Sequence, residues 1–179
     1  MKTDGENESG TRFGGKMKRV IVIGCPGSGK SSFARALHER TGLPLYHLDL
    51  MYWNADKTTV GRDVFLERLS EVLSRDEWII DGNYASSLEL RLAACDTVFF
   101  LDYPTEVCLS GIRDRRGTAR SDMPWVETEE DTEFTEFVRS FAVTQRPTIL
   151  ALIADCRDKH SRVFCSRNEA SEFLEKELL

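Results

Sequence analysis

The chain has 179 residues, 41% hydrophobic and 30% charged, which suits one domain with a full core. A formal net charge of -6 argues against a general nucleic-acid-binding surface, which needs a basic patch or stripe. No apolar run approaches the length of a membrane span, so no membrane partner is expected.

Residues 1–16 are polar, carry four glycines and show no hydrophobic periodicity. They read as a disordered tail or an appended remnant ahead of a single domain, 17–179. The β-branched run Val20–Ile23 then reads as a strand. It leads into Gly24-Cys25-Pro26-Gly27-Ser28-Gly29-Lys30-Ser31-Ser32 and a helical stretch from Phe33 that Gly42 ends. This is G-x-x-x-x-G-K-S between a strand and a helix, the setting a phosphate-binding loop requires. Gly24, Gly27 and Gly29 let the backbone curl until successive N–H groups point at an anion. The helix adds its positive end. Lys30 reaches the β/γ-phosphates and Ser31 can ligate Mg²⁺, while Pro26, Ser28 and Ser32 complete the nucleotide-binding loop. A glycine turn with a chance lysine would not bring strand, spacing and Lys-Ser together.

Leu43–Leu50 reads as a second strand, with Leu45, His47 and Asp49 on one face. Asp49 then falls at its C-terminal end, where ligands of open α/β sheets collect. Residues 51–62 form a loop whose Tyr52 and Trp53 either cover the core edge or face a substrate. Asp63–Ser74 has helical spacing at Phe65, Leu66, Leu69, Val72 and Leu73, with Asp63 a fair N-cap. Trp78–Gly82 is a buried strand ending in Asp81. Taken alone this could be an ordinary Asp-Gly turn, but after a phosphate loop it is where a second carboxylate meets the Mg²⁺.

Helices at Ser86–Ala94 and Thr105–Arg116 flank a strand at Thr97–Leu101. Arg113, Arg115, Arg116 and Arg120 around Gly117 form the densest basic segment, expected to act as a short lid of about residues 113–130. Phe134, Phe137, Val138 and Phe141 restart a helical stripe, and Pro147 begins a helix over Thr148–Ala154. Arg162–Cys165 is a fifth strand, and Ser166-Arg167-Asn168-Glu169 is a capping box opening the last helix. The order β-α-β-α-β-α-β-α-α-β-α predicts an α/β three-layer P-loop NTPase fold. Its sheet has five parallel strands, of the nucleoside and nucleotide kinase type.

The five cysteines (Cys25, Cys95, Cys108, Cys156, Cys165) include no C-x-x-C pair, so reduced thiols in a cytoplasmic protein are expected. His38, His47 and His160 lack metal-ligand spacing.

Several segments together resemble the adenylate-kinase-related proteins often labelled DNA topology modulation proteins. They are Gly24–Ser31, Leu43-Pro44 through His47-Leu48-Asp49 to Trp53, Trp78–Tyr84, Phe100–Pro104, Arg120–Met123 and Arg146-Pro147. The resemblance spans nearly all of Val20 to Leu178 and implies a small P-loop kinase; the label itself implies no handling of DNA. Asp81-Gly82 matches the start of the adenylate kinases' Asp-Gly-Phe-Pro-Arg motif. Asn83-Tyr84 replaces Phe-Pro and the arginine is absent, which puts AMP as acceptor in question. Arg116 and Arg120 resemble in position the lid arginines that clamp phosphates.

Residues and resemblance predict transfer of the γ-phosphoryl group of ATP·Mg²⁺ to a small acceptor: a nucleotide, a nucleoside or another hydroxylated metabolite. Lys30 would bridge the β/γ-phosphates, Ser31 and Asp81 would hold Mg²⁺, and Asp49 would orient an acceptor hydroxyl or a metal-bound water. Arg116, Arg120 and Arg146 would neutralise the transferring group. A second reading keeps the ATP site but makes the protein a nucleotide-dependent switch, favoured by the missing arginine. A third, direct DNA binding, has no helix-turn-helix or basic stripe behind it.

Overall fold

The computed structural model describes residues 17–178; the tail expected at residues 1–16 lies outside the described residues. Val20, Ile21, Val22 and Ile23 are all completely buried. Successive strand residues point to opposite faces, so β1 (Arg19–Gly24) must be covered on both sides. It is the middle strand of a five-stranded, all-parallel sheet. The order is β2 (Leu45–His47), β3 (Trp78–Asp81), β1, β4 (Thr97–Leu101), β5 (His160–Phe164). In register, Val22 stands opposite Asp81 on β3 and Phe99 on β4. The loop leaving β1 therefore emerges between two strand ends, at the carboxyl edge where ligands of such sheets bind.

The helices are α1 (Lys30–Thr41), α2 (Leu48–Tyr52), α3 (Arg62–Leu73), α4 (Leu88–Ala94), α5 (Thr105–Asp114), α6 (Thr132–Thr144), α7 (Arg146–Asp155) and α8 (Arg167–Lys176). Phe33 of α1, Phe99 of β4, Phe164 of β5 and Phe173 of α8 form one aromatic cluster, with ring centroids 5.1–6.4 Å apart. The last helix is capped as its sequence predicts: Ser166 Oγ accepts from the Glu169 N–H at 3.2 Å. Glu169 reaches back to the Cys165 N–H rather than to that of the cap residue. All five cysteines are free thiols, and Cys25, Cys95 and Cys108 are buried. No helix among the described residues is long and apolar enough to cross a membrane.

Several boundaries differ from the sequence reading. β2 stops at His47, not Leu50, and the chain turns at once into α2. β2 is an edge strand whose only partner among the described residues is β3, and the pairing ends at His47↔Asp81, where β3 itself ends. Beyond that point no ladder remains to satisfy the backbone, and a helical turn does so instead. Asp49 thus lies in the first turn of a helix, not at a strand end. α3 is capped by Gly61 rather than Asp63. Three helices separate β4 from β5, matching the three helical stretches read there although the predicted element order counts two. α7 starts at Arg146 rather than Thr148, with Pro147 in its first turn. α5 ends at Asp114, which leaves residues 115–131 without helix or strand.

Candidate active site

Gly29 caps α1 in a left-handed conformation (φ 94°), no side chain caps that helix, and its first turn carries no acid. The first N–H groups of α1 have no intrahelical partner, so this end offers open donors and a positive dipole. Lys30 Nζ rests on the Cys25 carbonyl at 3.2 Å, over the loop. Ser28 Oγ is buried and has no protein partner. Gly27 has φ 83°, and a Cβ there would stand 2.1 Å from the Cys108 carbonyl, so no side chain fits.

Each residue of Asp81-Gly82-Asn83-Tyr84 has its own contact. Asp81 is buried; its Oδ2 lies 2.9 Å from His47 Nδ1, while Oδ1 has no protein partner. Gly82 (φ 137°) lies under Leu48, whose Cβ would be 2.9 Å from an added Cβ. Asn83 Oδ1 accepts from the Gly24 N–H at 3.0 Å and ties this turn to the phosphate loop. The Tyr84 hydroxyl donates to Asp49 Oδ1 at 2.7 Å. Tyr84 adopts φ 33°, an uncommon conformation for a bulky residue. The completely buried Arg91 of α4 holds it there, donating to the carbonyls of Gly82, Asn83 and Tyr84. Burial lowers the Arg91 pKa to about 10, so it stays a cation at neutral pH.

Burial raises the pKa of Asp49 above the usual carboxylate range, against the opposing pull of the Tyr84 hydrogen bond and of Lys30. Asp122 behaves in the opposite way. Burial pushes its carboxyl up, but Arg120, the Ser31 hydroxyl and His47 outweigh that and leave it lowered. Asp122 is a buried lid carboxylate set between Arg120 and Arg35, each at 3.5 Å. The rest of the lid is pinned by Arg115 on Glu127 at 2.8 Å and by the Gly117 N–H on the Glu127 carbonyl at 2.7 Å.

Two cavities flank the phosphate loop. One of about 650 Å³ lies between the loop and α8, with Gly29, Ser32 and Arg35 on one side and Arg167 and Ala170 on the other. The second, about 910 Å³, holds Pro26, Asp49, Asp81, Tyr84 and Arg116, together with Tyr52, Trp53 and Trp125. They share Lys30, Ser31, Arg115, Arg120 and Asp122. Of the residues expected at the site, Arg146 alone among the arginines lies outside both cavities. It grips Asp102 with three hydrogen bonds of 2.7–2.9 Å, behind the loop. Asp122 and His47 lie in segments that carry the resemblance but have no role assigned there, and Trp125 and Arg91 carry no motif that marks them.

Asp81 Oδ1 suits a divalent cation, being buried and unpartnered by protein, and Ser31 faces the same cavity. No cluster of three or more His, Cys, Asp or Glu poised for a metal occurs among the described residues. Mg²⁺ needs only one or two protein oxygens, with phosphates and waters completing its shell.

No family model matches the chain. Over 101 residues it is 29% identical to the adenylate kinases of Thermotoga petrophila and Thermotoga maritima and 27% to that of Thermotoga neapolitana. The match covers 55% of this chain and 45% of each relative, so the chain spans about half the length of the curated relatives it matches. Among solved structures, the fold is similar to a shikimate kinase from Acinetobacter baumannii in complex with shikimate. That likeness has TM-score 0.60, 18% identity, and covers 89% of this chain and 90% of that one. It is also similar to a sugar kinase from Janibacter sp. HTCC2649, with TM-score 0.51, 16% identity, and 90% and 92% covered. The chain has the fold of P-loop kinases.

Proposed function

We propose that the protein is an ATP-dependent phosphotransferase acting on a small hydroxylated molecule. One observation carries the reading: two cavities open on opposite sides of a phosphate loop and share Lys30 and Ser31. A kinase needs that layout, with donor and acceptor approaching one point from two sides. The cavity beside α8 would take ATP, with the N–H groups of the loop and α1 around its phosphates. The aromatic cavity would take the acceptor.

In the transfer, the acceptor oxygen bonds to the γ-phosphorus, the β,γ-bridging P–O bond breaks, and the hydroxyl proton passes to Asp49. A carboxylate raised by burial is better matched to that task than an ordinary one. Lys30 stabilises the charge leaving with ADP, and Arg116 and Arg120 move from their carboxylate partners onto the transferring group. Ser31 and Asp81 would hold Mg²⁺, which supplies charge neutralisation when bound. The finer placement among adenylate-kinase-related proteins labelled DNA topology modulation proteins rests on the Asp81–Tyr84 turn and the segments around it. It carries no implication of DNA handling.

A nucleotide-dependent switch is the second reading, favoured by lid arginines that already have carboxylate partners: Arg115 with Glu127, Arg116 with Glu130 and Arg120 with Asp122. ADP release screened over nucleosides, nucleotides and hydroxylated metabolites separates the two. Acceptor-stimulated release that disappears in Lys30→Ala supports the kinase. Tight ATP binding with no stimulated release supports the switch.

A further inference from the structure

We propose that the larger cavity is built for an acceptor that presents a ring face and hydroxyls but no phosphate or carboxylate of its own. An uncharged nucleoside or sugar meets that description; a nucleotide or sugar phosphate does not. The inference rests on the kinase reading above and adds the acceptor's chemistry to it.

The first support is a continuous aromatic row. Trp125 meets Trp53 at 5.1 Å between centroids, Trp53 meets Tyr52 at 5.2 Å, and Tyr52 meets Tyr84 at 5.1 Å, all edge to face. The four residues are half-buried and all line the cavity. Tyr52 and Tyr84 pack inward on Phe65 of the core, while Trp53 and Trp125 extend the row past the core into the cavity. Trp53 is also positioned deliberately: after α2 the chain doubles back and Trp53 pairs antiparallel with Thr59. The row ends at the reacting centre, because its last member, Tyr84, donates to Asp49. A ring lying on the indoles therefore carries its hydroxyl toward that carboxylate.

The second support is charge. A phosphorylated acceptor needs cations on the wall away from the phosphate loop, as forked arginines or a lysine. On that wall, residues 49–57 and 81–84 supply Asp49 and Asp81 and a single cation, Lys57, exposed on the turn after Trp53. Of the nearby arginines, Arg68 of α3 donates to the Met51 carbonyl, and Arg75, just past α3, donates to the Tyr46 hydroxyl and lies over its ring; Arg62, the first residue of α3, does not line the cavity. The lid brings Arg115, Arg116 and Arg120, each paired with a carboxylate (Glu127, Glu130 and Asp122) on the phosphate-loop side, and adds further acids to the rim, Glu129, Asp131 and Glu133. An acceptor with its own anion would be held against like charge, whereas an uncharged ring loses nothing there.

The test is calorimetric binding with the donor cavity filled by AMP-PNP and Mg²⁺. The probes are nucleosides and hexoses, each beside its own monophosphate. The expected result is at least one uncharged member binding tenfold or more tightly than its phosphate. Trp125→Ala should weaken that binding at least tenfold and Trp125→Phe much less, with AMP-PNP affinity unchanged in both. Whether nucleosides or hexoses bind identifies the ring. Tighter binding of the monophosphates, no binding by any uncharged probe, or binding indifferent to Trp53→Ala and Trp125→Ala would overturn the proposal. Failure of AMP-PNP itself to bind would instead remove the kinase reading, and this inference with it.

Discussion

Gly111 of α5 stands directly against the carbonyl of Gly27 in the phosphate loop: a Cβ at position 111 would come 2.0 Å from that oxygen. Gly111 sits mid-helix, where alanine is intrinsically better by about 1 kcal/mol. The obstacle is backbone, which no rotamer change relieves. Gly111→Ala should therefore lower Tm by roughly 5 °C, as overpacking outweighs propensity. It should also weaken ATP-analogue binding at least tenfold by lifting the loop. Thermal melts with and without AMP-PNP check both; an unchanged affinity would mean the loop does not depend on α5.

Asp49 links pH to stability and, on the proposed mechanism, to turnover. Burial raises its folded pKa above the unfolded value, so the native state holds this proton more tightly than the unfolded chain. Its contribution to stability is present below the ordinary carboxylate value, about 3.9, and is lost as pH rises through the folded pKa. Asp49→Asn removes that penalty at neutral pH and still lets the Tyr84 hydroxyl donate. The expected outcome is a Tm equal to or above wild type with kcat reduced at least ~100-fold. A wild-type acid limb in kcat set at an ordinary carboxylate pKa would contradict the role given to Asp49.

Arg91 supports Tyr84 rather than touching a substrate. Arg91→Leu leaves three turn carbonyls without their donor, a loss on the order of 3 kcal/mol. Urea unfolding should show that loss, and turnover should fall with it because Tyr84 no longer orients Asp49. A stability change without any kinetic change would make Arg91 a core residue only.

Asp122 pairs with Arg120, the lid arginine that the proposed mechanism has the triphosphate claim. Its depressed pKa means its stabilisation is present above the unfolded carboxylate value and is lost as pH falls through the folded one. Asp122→Asn should flatten the acid limb of the stability profile below about pH 4. It should also tighten ATP binding several-fold in the absence of Mg²⁺, since one negative charge beside the phosphates is gone. Weaker binding in that assay would show that Asp122 helps to hold the nucleotide.

The parts of the molecule governed by local pattern were legible in the sequence. β1 and the phosphate loop follow from four β-branched residues and fixed glycine spacing, and the apolar run Thr97–Leu101 matches β4 to the residue. β2 misled because Leu43–Leu50 alternates as a strand should, while the ladder available to it ends with β3 at Asp81. Sheet-edge pairing is a property of the neighbour and leaves no local mark. Arginine roles were least legible. Arg146 and Arg120 look alike in sequence, yet the first closes on Asp102 behind the loop and the second faces both cavities. Asp122 opens a run of acidic residues to Glu136, and only the folded lid reveals that it is buried.

The sharing pattern of the two cavities has a consequence for divergence. The wall of one comes from residues 27–36 and 167–174, that of the other from 49–57, 81–84 and the lid after 122, with a few residues common to both. On the proposed kinase reading, substrate choice would then be written mainly in the 49–57 segment and the lid, which meet the donor side chiefly through Lys30, Ser31 and the Arg35–Asp122 pair. Drift at Trp53 or Trp125 could retune what is phosphorylated while the phosphate donor and the sheet stay as they are. Grafting the 49–57 segment and the lid onto a relative of the same fold would move acceptor preference as a unit.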